Sequence, residues 1–293
     1  MSSKHLNILF VGDIVGEPGL RLLETVLPSL IDKHEADFVV ANGENSHKGK
    51  GINRQIIKKL YDLGVHVITG GNHSFAKYKV FDYMKTDPNI LRPLNYPRGN
   101  PGYGYVVREV PGRDHKIGVL NLQGRTYMQD IDDPFGTADW ALERISEETD
   151  MVFVDFHAEA TAEKLAMAWH LDGRASVFVG THTHVPTNDA RIFPKGLGYI
   201  TDAGMTGSFD SVLGMDTETS LKRFKLGTPH RYKLADGNNH LCGLLARVDP
   251  QSASCTYVEP IIYPPFEMSA STGDPGTGEV DSNNDPSNDG DDG

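Results

Sequence analysis

Five short apolar runs in this chain each end in polar residues, four of them beside glycine, and that recurrence constrains the fold more than any other feature. Asn7–Val11 ends in Gly12-Asp13, Asp37–Ala41 in Asn42-Gly43-Glu44-Asn45, and Val65–Thr69 in Gly70-Gly71-Asn72-His73. Further on, Met151–Phe156 ends at His157, and Ala175–Val179 ends in Gly180-Thr181-His182-Thr183-His184. The runs are short, β-branched and bounded by turn residues, so they read as strands. Two more strands are expected at Lys116–Leu122 and Gly198–Thr201. Apolar residues at helical spacing mark Leu20–His34, Asn53–Leu63 and Thr161–Leu171, with a less regular stretch at Ala138–Glu148. Strand and helix alternate, which predicts an α/β fold. Residues 88–113 carry Pro88, Pro93, Pro97, Pro101 and Pro111 and read as a long irregular crossing.

In a parallel sheet the carboxyl ends of the strands share one edge, where open α/β folds bind their ligands. Such a sheet would bring carboxylate, amide and imidazole groups from distant parts of the chain to one place. Taken singly, each cluster has a plainer explanation. Gly12-Asp13 reads as a turn or helix cap, Asn42-Gly43 as a turn dipeptide, Asn72-His73 as a cap with a bonded histidine. His157 alone reads as a satisfied interior histidine. The two histidines of Gly180-Thr181-His182-Thr183-His184 can reach one cluster together. All five clusters at strand ends point to a metal site. Carboxylate, imidazole and amide oxygen donors suit Fe or Mn, with Zn also compatible, and not a thiolate-seeking metal.

The 293 residues are 38% apolar, enough for a sizeable core. No apolar run reaches the roughly 18–20 residues that cross a bilayer. Met1-Ser2-Ser3-Lys4-His5 leads straight into a strand, without the features of a signal peptide, which predicts a cytoplasmic location. Cys242 and Cys255 match no zinc-ligand spacing and are expected to be buried small residues. Eight acids and no base follow Phe266, so the net charge of −12 falls to −4 for the body. A domain over residues 1–268 and an acidic, disordered tail over 269–293 are expected. No basic tract is present, which argues against duplex nucleic acid as a partner. Gly12, Gly16 and Gly19 lack dinucleotide-binding spacing, and no Gly-x-Ser-x-Gly elbow of a serine hydrolase occurs.

In order, Asp, Gly-Asn-His, an isolated His and Gly-x-His-x-His resemble the calcineurin-like metallophosphoesterase superfamily, and most closely its bacterial YmdB-like family. The stretches that carry the resemblance are Phe10–Gly16, Ala41–Asn45, Gly71–His73, Val154–Thr161, Gly180–Thr187 and Thr201–Gly207. The resemblance implies a four-layer α-β-β-α sandwich with the active site at the carboxyl ends of the strands. It implies two divalent or mixed-valence metals, one on Asp13, Glu44, Asn45 and His184, the other on Glu44, Asn72, His157 and His182. Asn45 fills the place of a histidine found in most of the superfamily, and Glu44 stands where an Asp is usual. Ser74-Phe75-Ala76 replaces Thr-Trp-Asp of the nearer family and removes a carboxylate beside His73.

By the same resemblance the chain is a phosphodiesterase of cyclic nucleotides, 2′,3′-cyclic AMP and 3′,5′-cyclic forms included. A metal-bridging hydroxide would attack phosphorus, and His73 would protonate the leaving oxygen. Thr181, Met205 and Thr206 would line the substrate site. A phosphomonoesterase would carry the same metal site, and a regulatory protein could keep the fold and bind metal or nucleotide without turnover. The resemblance also leaves room for a homo-oligomer.

Overall fold

The structure, a computed structural model, describes residues 5–266. The expected acidic tail, and the boundary at residue 268, lie outside the described residues. The elements begin with β1 (Leu6–Val11), β2 (Asp13–Ile14), α1 (Gly16–Lys33), β3 (Phe38–Asn42), α2 (Arg54–Asp62) and β4 (Val67–Thr69). Then come α3 (Phe81–Met84), β5 (Tyr105–Glu109), β6 (Lys116–Gln123), α4 (Pro134–Ile145), β7 (Val152–His157), α5 (Thr161–Leu171) and β8 (Val177–Thr181). The last are β9 (Arg191–Ile192), β10 (Gly198–Ile200), β11 (Met205–Ser208), α6 (Thr217–Leu226), β12 (Asn239–Val248) and β13 (Cys255–Tyr263).

Local chemistry sets several of the helix starts. Asn53 Oδ1 accepts the Ile56 amide at 2.9 Å and begins α2. Asp133 Oδ2 does the same for Gly136 at 2.8 Å, and Pro134 fits the first position of α4. Helix α1 buries Leu20, Leu23, Leu27 and Leu30, the single stripe that its sequence spacing predicts.

The strands form two sheets, as the four-layer arrangement implied by the resemblance requires. One runs β2-β11-β12-β1-β3-β4, with β13 also on β12; the other runs β5-β6-β7-β8-β10-β9. Strands β1, β3 and β4 are parallel to one another, as are β6, β7, β8 and β10. Ile8, Phe10 and Val40 of the first sheet share a core with Val119, Phe153 and Val179 of the second. The Phe10 and Phe153 rings lie 5.4 Å apart in that layer. Each sheet carries helices on its other side. Leu9 and Val39 pack with α1 and α2, and Leu120, Val154 and Phe156 pack with α4 and α5. The result is the α-β-β-α sandwich. Strands covered on both faces must be apolar throughout, which explains the unbroken runs.

Several elements depart from expectation. Residues 88–113 contain β5, which pairs antiparallel with β6. Strands β12 and β13 add a long antiparallel pair to the first sheet. Helix α6 lies in a stretch where no helix was expected. Cys242 and Cys255 are both buried and unpaired, and burial pushes their thiols up to about 12 and about 11.

Candidate metal centre

Strand ends of both sheets meet at one point. Asn42 Nδ2, at the end of β3, donates to Asp155 Oδ2 of β7 at 3.1 Å, and Asn121 Oδ1 of β6 accepts the Gly70 amide at 3.0 Å. These bonds lock the two sheet edges together. Asp13, Glu44, Asn45 and His157 are buried there, and Asn72, His73, His182 and His184 are partly buried. Gly71 permits the closeness, because a Cβ on it would run into the His157 ring.

His157 Nε2 is the hub. Glu44 Oε1 lies 3.1 Å from it, Asn72 Oδ1 3.0 Å and His182 Nδ1 3.0 Å. A single N–H at Nε2 cannot satisfy three acceptor atoms. A cation between them can, and ligand atoms of Glu44, His157 and His182 all lie within 4.8 Å of one another. Electrostatics agree. Burial opposes charging His157, yet Glu44, Asp13 and Asp155 outweigh it and hold the imidazole up at about 9. Burial also opposes the Glu44 carboxylate, but His157 and His73 bring it down to about 2. His182 is driven down to about 3, first by burial and then by His157. The acids around His157 thus attract positive charge to the centre, where a bound cation would take the place of the His157 proton, while His182 stays unprotonated, as a ligand must be.

The remaining expected ligands surround this hub. Asp13 Oδ2 accepts the His182 amide at 3.1 Å, while the buried Oδ1 has no hydrogen-bond partner among the described residues. Burial raises the Asp13 carboxyl above its ordinary value. An orphaned, buried carboxylate oxygen fits a metal ligand. His184 Nε2 and Glu44 Oε1 lie 3.1 and 3.2 Å from Asn45 Nδ2. The Asn45 amide turns its nitrogen to these groups and its oxygen to His73 Nδ1, at 2.7 Å. Ligation through Oδ1 on the His184 side requires that amide to turn over. His182 and His184 both take left-handed backbone, with φ of 100° and 65°. That strain, in a non-glycine pair, is what aims both rings from one short turn.

His73 is held from two sides. Its amide donates to Glu44 Oε2 at 2.9 Å, and Nδ1 faces Asn45 Oδ1. Nε2 has no hydrogen-bond partner among the described residues, and the side chain lines an open cleft. Asn45 and Glu44 therefore orient the ring in place of the missing carboxylate after Gly-Asn-His. Burial draws the imidazole below the ordinary histidine value, and Glu44 works against that shift.

The structure places the three expected substrate contacts below the surface. Thr181 and Thr206 are wholly buried and Met205 nearly so, at 0, 0 and 2% exposure, so none faces the cleft. Met205 and Thr206 pair with Asp13 and Ile14 in β-structure. The Thr181 hydroxyl donates to Asp155 Oδ1 at 2.7 Å and lies 3.0 Å from His157 Nδ1. It fixes the far side of the His157 ring, which keeps Nε2 turned to the cluster.

The model of the YmdB-like protein family matches residues 9–261, which take in all seven candidate ligands and His73. The chain belongs to the YmdB-like family. A Bacillus subtilis (strain 168) relative, a 2′,3′-cyclic-nucleotide 2′-phosphodiesterase, is 46% identical over 257 residues, 88% of this chain and 97% of that one. A protein of Thermus thermophilus superposes with a TM-score of 0.81 at 40% identity, over 88% of this chain and 99% of that one. A novel phosphatase from Mycoplasma pneumoniae superposes with a TM-score of 0.83 at 33% identity, over 88% and 93%. The donor set above fits a divalent metal.

Two groups escaped the sequence. Asp155, between two strand apolar residues, accepts from Asn42, Thr69 and Thr181, and burial lifts its carboxyl to about 7. Lys164 sits on α5 at a position that reads as solvated, yet it is buried against Asp202. The Val-Asp-Phe-His order was the only signal for Asp155, and none existed for Lys164. No helix among the described residues is long and apolar enough to cross a membrane.

Proposed function

We propose that this chain is a dinuclear metal-dependent phosphodiesterase that opens 2′,3′-cyclic nucleotides and also accepts 3′,5′-cyclic ones. Family membership makes it a phosphoric ester hydrolase. The observation that carries the reading is the convergence of Glu44, Asn72 and His182 on His157 Nε2, beside the orphaned Asp13 Oδ1. The name of the Bacillus subtilis relative supports the choice of a 2′,3′-cyclic substrate.

One metal would sit on Asp13, Glu44, Asn45 and His184, and the other on Glu44, Asn72, His157 and His182, with Fe or Mn suited to such donors. Bound metals supply charge for the phosphoryl oxygens and a water that ionises near neutral pH. Asp155 and Thr181 orient His157. His73 faces the cleft, where it meets the leaving ribose oxygen. In the neutral ring, with its proton on Nδ1 toward Asn45, Nε2 is a lone pair. The negative phosphate favours a second proton there, and that proton goes to the leaving oxygen.

The test is a panel of 2′,3′- and 3′,5′-cyclic nucleotides and phosphomonoesters, assayed with Mn or Fe alongside elemental analysis. Turnover of cyclic diesters with two metals per chain is expected. Turnover of monoesters alone would make the enzyme a phosphomonoesterase, and no turnover with metal restored would make it a binding protein. His73→Ala should retain metal and lose about 10²–10⁴-fold in rate, most on poor leaving groups. A matching loss of metal would make His73 a ligand instead.

A further inference from the structure

We infer that the cleft beside His73 seats the strand behind a 2′,3′-cyclic phosphate, so that the substrate includes the 3′ end of a short single-stranded RNA. This rests on the diesterase reading above and names its substrate class. The cleft encloses about 1080 Å³, at the top of the roughly 300–1,000 Å³ that houses a whole small ligand. It borders the metal centre through two of its lining residues. His73 lines it, and Leu213, also on its wall, holds His184 Nδ1 through its carbonyl at 3.1 Å.

The lining is basic in a chain whose net charge is −12. Lys48, Lys50, Arg223, Arg231 and Lys233 face the cleft, and no Asp or Glu among the described residues does. Lys48, Lys50 and Arg231 form no ion pair with a carboxylate among the described residues. Charge of one sign gathered in a concave wall attracts a polyanion. Helix α6 and the loop after it add two exposed aromatic faces. Phe224 is 83% exposed and Tyr232 57%, and the Arg223 guanidinium lies 4.0 Å from the Tyr232 ring centre. Cations that track a backbone, interleaved with rings on which bases stack, are the physical signature of single-strand binding.

A mononucleotide offers one phosphate and one base, fewer groups than this cleft can engage. A duplex hides its base faces and cannot use the rings. A 2′,3′-cyclic phosphate arises when an RNA strand is cut by its own 2′-hydroxyl, and the ring then stays at the 3′ end of the strand. The reaction is unchanged by the extra nucleotides. A water oxygen bonds to phosphorus, the P–O2′ bond breaks, and O2′ leaves with a proton, giving a 3′-phosphate end.

The test compares kcat/KM for 2′,3′-cyclic AMP with that for adenylate di- and trinucleotides ending in a 2′,3′-cyclic phosphate. A gain of at least about fivefold for each stacked base is expected. The Phe224→Ala, Tyr232→Ala double variant should collapse that ratio, and added salt should lower it. Fluorescence anisotropy of a labelled trinucleotide 3′-phosphate on metal-free protein gives a second readout. Its binding should be tighter than that of 3′-AMP and weakened by Arg231→Ala. Equal kcat/KM for mono- and trinucleotide, with equal affinity of their products, overturns the strand-binding inference while the diesterase reading stands. No turnover of either substrate overturns the diesterase reading, and this inference with it.

Discussion

Lys164 Nζ donates to Asp202 Oδ2 at 2.8 Å, and both side chains are buried. The same Oδ2 accepts the Thr183 amide at 3.0 Å and its hydroxyl at 2.8 Å, while Oδ1 accepts the Gly204 amide at 2.9 Å. Thr183 lies between His182 and His184, so this pair ties down the strained turn that aims both rings. Burying a charge is tolerable only when it is paired and bonded, as here. Replacing Lys164 by Met would strand the Asp202 carboxylate.

The expected cost of Lys164→Met is about 3–5 kcal/mol in unfolding free energy, measured by urea titration. Metal content at fixed free metal should fall as well, because His182 and His184 lose their backing. Unchanged stability together with unchanged metal content would show that the turn needs no such support.

Thr181→Val removes one hydroxyl and little volume. It leaves both Asp155 Oδ1 and His157 Nδ1 without their shared partner. A group that orients a metal-binding imidazole typically changes affinity by about 10–100-fold. The expected result is weaker metal binding of that size by competition with a chelator, with the secondary structure intact by circular dichroism. Thr181→Ser, which keeps the hydroxyl, should restore most of the affinity. If Val and Ser variants bind metal alike, the Asp155–Thr181–His157 chain has no role in ligation.

The strand ends that build the centre were legible because their apolar runs stop abruptly at Gly12-Asp13, Gly71-Asn72-His73 and Gly180-Thr181-His182. Each such ending alone would pass for a turn or a cap, and it was their recurrence at five strand ends that pointed to a shared site. The division into two sheets was not visible in spacing, since Phe10 and Phe153 look alike whether they share a sheet or face one another across a core. The α-β-β-α arrangement came from resemblance, and the packing of those two rings gives it a physical basis. Strand β5 was hidden by the surrounding prolines, and its exposed Arg108 and Glu109 break the alternation. Lys164 was hidden for a different reason. A lysine on a helix reads as solvated until its distant carboxylate is known. The cleft was hidden likewise, because Lys48 and Lys50 lie far in sequence from Arg231 and Tyr232.

Gly71→Ala tests how tightly the two sheet edges are pressed together. The added methyl would run into the His157 ring. A shift of either backbone or ring costs about 1–3 kcal/mol when a packed site is overfilled. Metal affinity should fall with stability. Gly136→Ala serves as the comparison, because the carbon added there, on α4, meets only the Asp133 carboxylate, at 3.2 Å. Equal thermal midpoints and metal content for the Gly71 variant and wild type would mean that His157 has slack that the structure does not show.

Asp13→Asn separates metal binding from the stability of the metal-free chain. Burial holds the Asp13 carboxyl above its ordinary value, with Glu44 and Asp202 adding to the shift and His184 and His157 opposing it. A carboxyl raised on folding contributes stability below its unfolded value of 3.8, and that contribution is lost as pH rises through the folded value. At neutral pH the carboxyl is therefore a burden on the metal-free fold. An amide of the same shape removes the charge and retains an acceptor for the His182 amide. The metal-free Asn variant should melt at a higher temperature than metal-free wild type at pH 7, with the gap closing in acid. With metal the order should reverse, because wild type gains from bound ion by about 2.7 kcal/mol at a hundredfold excess over its Kd. The variant, lacking an anionic ligand, should gain less. Differential scanning calorimetry with and without Mn measures both arms. A variant less stable than wild type without metal, or equally stabilised by it, would show that Asp13 serves the fold and not the ion.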